Sequence, residues 1–256
     1  MEKNGKAPIL VEICCGSYYD ACRAALGGAG RIELNSALML GGLTPTTATL
    51  AMVKEQLPQL KVISMVRPRG AGFCYGEEDY RVMLAECREL LEAGTDGIAF
   101  GCLEENGYLD LKKNEELIEM IKKAGKEAVF HRAFDCTPDP YEAARQLIRL
   151  GADRILTSGQ KDKAMEGAVL LAQLQKELGA QIQFLAGSGV NAGNAVELIR
   201  KTGVTQIHSS CKDWIRDETT QKNGVSYSMD LQLHPMEYDV VSAAKVKELL
   251  EAVQGL

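Results

Sequence analysis

Six times along the chain an amphipathic stretch ends at a glycine and gives way at once to a short apolar run. The joints are LGGAGRIEL (Gly28), EAGTDGIAF (Gly94), KKAGKEAVF (Gly125), RLGADRIL (Gly151), ELGAQIQFL (Gly179) and KTGVTQIH (Gly203), and a seventh, QLPQLKVISMV, uses Pro58. Glycine readily takes the left-handed conformation that closes a helix. The runs that follow, such as VISMV, GIAF and EAVF, lack clean alternation of polar and apolar residues. Near-continuous apolar strands of this kind belong to parallel sheets covered on both faces. The chain therefore repeats one strand–loop–helix unit.

Placing the units predicts strands near 9–13, 30–34, 61–66, 96–100, 126–130, 153–157, 181–186 and 205–208. Helices are predicted near 17–27, 46–57, 77–93, 113–124, 139–150, 161–178, 191–201 and 240–253. Eight βα units in 256 residues suit an α/β fold of the (β/α)8, TIM-type barrel class, one domain over 1–256. An open doubly wound sheet is the competing arrangement, but it usually has fewer strands, and no GxGxxG follows the first strand here. Between the eighth strand and the last helix, at about 209–239, a long loop interrupts the repeat and carries the single tryptophan, Trp214. Loops of that length serve as lids, binding loops or subunit contacts.

Charge and composition narrow the partners. There are 35 acidic against 29 basic residues, a net charge of -6, and no basic block. Nucleic acid and anionic membrane surfaces are therefore not expected as partners. No signal peptide or membrane-spanning run is visible, so the expected location is cytoplasmic. In that compartment the eight cysteines are expected to be free thiols. The chain has no CxxC and no HExxH, which argues against a structural zinc knuckle or a zinc protease.

In a barrel of this class the C-terminal ends of the strands share one face, and that face carries the site. Glu12 and Cys14 lie in the first strand, Arg31, Glu33 and Asn35 in and after the second, and Arg67 and Arg69 after the third. The fifth strand ends in FHRAFD, with His131, Arg132 and Asp135. The sixth ends at Thr157 and Ser158, the seventh in the glycine-rich AGSGVNAGN with Gly187 and Gly189, and the eighth at His208, Ser209 and Ser210. Glu12, Glu33, His131, Asp135 and His208 are the candidate catalytic groups, because mixed carboxylates and imidazoles can hold an acid and a base at different pKa. Arg31, Arg67, Arg69, Arg132, Ser158 and the Gly187 and Gly189 turn are the candidate anion-binding groups. Buried charges must be paired, so Arg31 and Glu33 have an alternative role as partners of neighbouring strands inside the barrel. Cys14, Cys74, Cys102, Cys136 and Cys211 all fall at or after the C-terminal end of a strand, and their thiolates would be soft ligands that favour Cu(I). Cysteine is also a small gap-filling hydrophobe.

The segments VEICCGS, GRIELNSALMLGGLTPT, MVRPRGAGFCY, DGIAFGCLEENGYLD, FHRAFD, RILTSGQ, AGSGV and QIHSS together resemble the CutC family of copper homeostasis proteins, in family order from residue 11 to about 210. The resemblance implies a TIM-type barrel, a cytoplasmic location, self-association as a dimer or tetramer, and Cu(I) binding. It implies cysteine ligands at Cys14 and in the segment matching RIELN, where this chain carries Asn35, so that Cys15 or a loop cysteine would have to complete a thiolate pair. Two functions are therefore expected to compete. One is copper handling without turnover. The other is an enzyme using acid–base chemistry on a small anionic, sugar-like molecule, with arginines holding the anion and a divalent metal as one conceivable aid. A non-catalytic scaffold would leave the polar strand ends without a purpose.

Overall fold

A computed structural model describes residues 8–256. Eight parallel strands close into a barrel in sequence order: β1 (Leu10–Cys15), β2 (Arg31–Leu34), β3 (Lys61–Met65), β4 (Gly97–Phe100), β5 (Glu127–Phe130), β6 (Arg154–Thr157), β7 (Gln183–Ala186) and β8 (Gln206–Ser209). Each lies within two residues of its expected bounds. The helices around them are α1 (Tyr18–Leu26), α2 (Thr47–Gln56), α3 (Glu77–Glu92), α4 (Leu111–Lys123), α5 (Pro140–Leu150), α6 (Ala168–Leu178), α7 (Ala195–Thr202) and α8 (Ala243–Val253).

Helix α5 shows how local sequence sets the bounds. Asp139 accepts hydrogen bonds from the backbone N–H groups of Tyr141 and Glu142, and Pro140 occupies the first turn, where a missing N–H costs nothing. Gly151 ends the helix at φ +87°, and the Ala143, Ala144 and Leu147 face is buried.

Helix α6 begins later than the periodicity predicts, because 161–167 first turns back along the end of β6. There Gly167 packs on the backbone of Ser158 and Gly159, and a Cβ at Gly167 would run into the Ser158 carbonyl oxygen. Gly167→Ala is expected to cost about 1–3 kcal/mol, the usual penalty of overpacking. Urea unfolding measures it, and an unchanged midpoint would show that the turn yields.

Alternation along the strands assigns two environments. Ile13, Ile32, Leu34, Val62, Phe100, Phe130 and Ile155 face outward and join helix residues such as Leu50, Met83, Leu147 and Leu249 in the main core. Ile63, Met65, Ala99 and Val129 form a separate small cluster. Below it the barrel is closed by paired polar side chains. Arg31 Nε lies 2.5 Å from Glu12 Oε2, and Arg31 Nη2 donates to Gln206 Oε1 at 2.7 Å. Gln206 Nε2 donates to Gln183 Oε1 at 2.7 Å, Arg154 donates to Gln183 and to Glu127, and Lys61 pairs with Glu127 at 2.5 Å. Every strand but β4 contributes to this ring.

The stretch at 209–239 contains regular structure. Strand β9 (Lys212–Arg216) pairs antiparallel with β12 (Glu237–Val241), and β10 (Gln221–Lys222) with β11 (Val225–Ser226). Trp214 stacks on His234 with ring centroids 3.5 Å apart, clasping the ribbon. Among the described residues no helix is long and apolar enough to cross a membrane.

Candidate functional site

The strand register brings three unlike ligand atoms together. Cys14 on β1 is the in-register neighbour of Glu33 on β2, and β8, on the other side of β1, carries His208. The Cys14 sulfur, a Glu33 carboxylate oxygen and a His208 ring nitrogen all lie within 4.8 Å of one another. The Cys14 thiol donates to Glu33 Oε2 at 3.8 Å, and His208 Nε2 stands 3.4 Å from the same oxygen. Asn35 Nδ2 donates to Glu33 Oε2 at 3.0 Å and to the Cys14 sulfur at 3.6 Å. Gly42, at φ +84°, makes this possible, because a Cβ there would strike Asn35 Oδ1.

Burial works against charge on all three groups, but they offset it for one another. Burial would raise the Glu33 carboxyl, yet the His208 imidazolium and the Asn35 amide outweigh it and hold Glu33 below the usual carboxylate range. Burial would lower His208, yet Glu33 and Cys14 raise it well above an ordinary histidine. The Cys14 thiol is raised by burial, with His208 opposing.

The cluster forms the floor of a cavity of about 340 Å³, whose walls include Met65, Arg67, Phe73, His131, Arg132 and Ser188. FHRAFD supplies one wall by turning into a short 3-10 helix, Arg132–Cys136, directly after β5. His131 Nδ1 accepts the Ala133 N–H at 3.1 Å, so the ring proton of the neutral imidazole sits on Nε2. That Nε2 has no hydrogen-bond partner among the described residues. Burial and the nearby Arg67 push the His131 pKa down to about 4. Arg67 donates to the carbonyl oxygens of Leu40, Gly42 and Ala71, so it ties the loops after β2 and β3 together while lining the cavity.

Other expected site residues stand elsewhere. Cys15 is on the opposite face of β1 from Cys14, fully buried in the core, and burial followed by the charge of Cys14 raises its thiol well above normal. It cannot share an ion with Cys14, because adjacent strand residues point to opposite faces. Glu12 and Arg31 belong to the polar ring under the cavity, although Glu12 Oε1 comes within 3.9 Å of His208 Nε2. Arg69 lies outside the cavity, paired with Asp79 at 2.6 Å and bonded to the Cys74 carbonyl. Asp135 does not orient His131. It accepts from Thr157, from Ser158 through backbone and hydroxyl, from Gln160, and from Arg132, and so joins the loops after β5 and β6. Ser158 is consumed by that network. The Gly187 N–H is spent on the Thr157 carbonyl, leaving only Gly189 of the two glycines at the cavity.

Sequence reasoning missed Phe73, Ser188 and Lys212 in the lining. Ser188 lay within the AGSGV turn already singled out. Phe73 and Lys212 carry no pattern that marks them, since a loop and a ribbon deliver them.

The architecture and cavity define a (β/α)8 barrel with a thiol–carboxylate–imidazole cluster at the C-terminal ends of its strands. The sequence profile of the CutC family matches residues 9–213, and the chain belongs to that family. It is 43% identical over 248 residues to a CutC family protein of Treponema denticola, covering 97% of this chain and 99% of that protein. It is 36% identical to the mouse protein named copper homeostasis protein cutC homolog, covering 94% and 88% respectively. The crystal structure of a CutC protein from Streptococcus agalactiae superposes with a TM-score of 0.75 at 30% identity, covering 79% of this chain and 98% of that one.

Proposed function

We propose that the protein is a cytoplasmic copper-handling protein that holds Cu(I) as cargo at Cys14, Glu33 and His208. The carrying observation is the convergence of three different ligand atoms within 4.8 Å on three adjacent strands. Thiolate and imidazole suit copper, and the Glu33 carboxylate balances its charge. The copper homeostasis name borne by the mouse relative supports the reading. Asn35, at the second cysteine position that the resemblance implies, does not replace a thiolate. Its amide holds Glu33 and Cys14 in place. Losing a hydrogen bond that holds a metal ligand in place commonly lowers metal affinity by about 10–100-fold.

Binding must displace the Cys14 proton and the His208 proton, so affinity is expected to rise with pH. Anaerobic competition against a Cu(I) chelator measures it. Cys14→Ser and His208→Ala are each expected to lower affinity by about tenfold or more. Equal retention by wild type and both variants would remove the cluster as the copper site.

A further inference from the structure

We infer that the cavity above the cluster binds a small organic molecule with a phosphate or carboxylate at one end and a carbonyl or hydroxyl oxygen at the other. This goes beyond the copper reading and does not rest on it. The cavity, about 340 Å³, has the size of a small-metabolite site. Four of the residues that line it each hold a buried polar atom with no hydrogen-bond partner among the described residues: His131 Nε2, Arg67 Nε, Glu33 Oε1 and Asn35 Oδ1. These residues are 3%, 5%, 3% and 1% exposed, respectively. Buried polar groups are almost always bonded, and leaving several unmet around one cavity is unfavourable until something fills it. Two unmet donors beside two unmet acceptors match a molecule that brings both kinds of group.

The charge of the walls selects its sign. Arg67, Arg132 and Lys212 line the cavity against a single carboxylate, Glu33. Lys212 is paired with Asp239 at 2.9 Å and Arg132 with Asp135 at 2.8 Å, so the field is moderate and not that of three bare cations. The oxyanion end is placed by the backbone. Ser188 and Gly189 line the cavity, and their backbone N–H groups have no acceptor among the described residues. Gly189 also borders a second hollow of about 420 Å³, which shares Ser209, Ser210 and Lys212 with the first and leaves room for a bulky end group. On the β5 side the uncharged His131 ring carries its proton on Nε2, as does a neutral imidazole that polarises a carbonyl.

The test is calorimetric titration of metal-free protein with dihydroxyacetone phosphate, pyruvate and, as an uncharged control, dihydroxyacetone. At least one anionic probe is expected to bind with a Kd below about 1 mM, and the uncharged one about tenfold more weakly. Binding of the phosphate alone or of the carboxylate alone supports the inference and identifies the end group. His131→Gln is expected to weaken the anionic probe about tenfold, the loss of one hydrogen bond to a buried partner. Lys212→Gln, at an exposed position, is expected to weaken the anions but not the control. The inference is overturned if neither anion binds, if the uncharged probe binds as well, or if both variants bind like wild type. Because no copper is present, none of these results depends on the metal reading.

Discussion

Arg31→Met is expected to destabilise the barrel by about 3–5 kcal/mol, the cost of leaving a buried charge without its partner. Arg31 and Glu12 are 3% and 1% exposed, and the guanidinium nitrogen lies 2.5 Å from the carboxylate. Two cations remain near Glu12, Arg154 Nη1 and the His208 ring, each 3.9 Å from one of its oxygens, and they offset part of the loss, which places the expectation toward the lower end. Removing both charges should be much milder, since replacing a buried pair by apolar groups of similar volume is often neutral. Urea unfolding of Arg31→Met, Glu12→Met and the double variant forms the cycle. If the double variant lost the sum of the two single losses, the pair would not be coupled and the ring would not be an electrostatic unit.

The second large effect is a loss of stability in mild acid. The His131 pKa is pushed down to about 4 by burial and by Arg67, while an unfolded chain titrates histidine near 6.5. Between those values the unfolded chain binds a proton that the folded chain refuses. Stability therefore falls as pH falls through this window, and it is fully retained only above about 6.5. The whole step amounts to about 3 kcal/mol. His131→Gln keeps a polar side chain but cannot take up the proton, so its stability should depend less on pH between 7 and 4. The carboxylates titrate in both proteins, so the difference between the two curves isolates the imidazole. Parallel curves would mean that His131 accepts its proton in the folded state at no cost.

The barrel was legible because its signal is repeated and local. Glycine joints such as Gly151 end helices whatever happens elsewhere in the chain, and β3 follows Pro58 for the same local reason. The late start of α6 was not legible, because the contact that delays it joins Gly167 to Ser158 and Gly159 across a turn. The site was legible as a set of residue types but not as an arrangement. Alternation showed that Glu12 and Cys14 share a face and left open which face is inside. Once Cys14 is inside, Cys15 is excluded and Glu12 falls one layer deeper. Arg67 and Arg69 are equivalent in the string MVRPRG, yet three backbone carbonyls hold one at the cavity and Asp79 draws the other away. Proximity in sequence makes His131 or Arg132 the expected partner of Asp135, and of the two it takes Arg132, at 2.8 Å. Its other hydrogen bonds go to residues on the neighbouring strand and loop, which no spacing rule reports.

The ring of Glu12, Arg31, Gln206, Gln183, Arg154, Glu127 and Lys61 makes the barrel a cup and not a pipe. Nothing can be threaded through from one end to the other. Any ligand of the cavity must therefore enter and leave over the same rim.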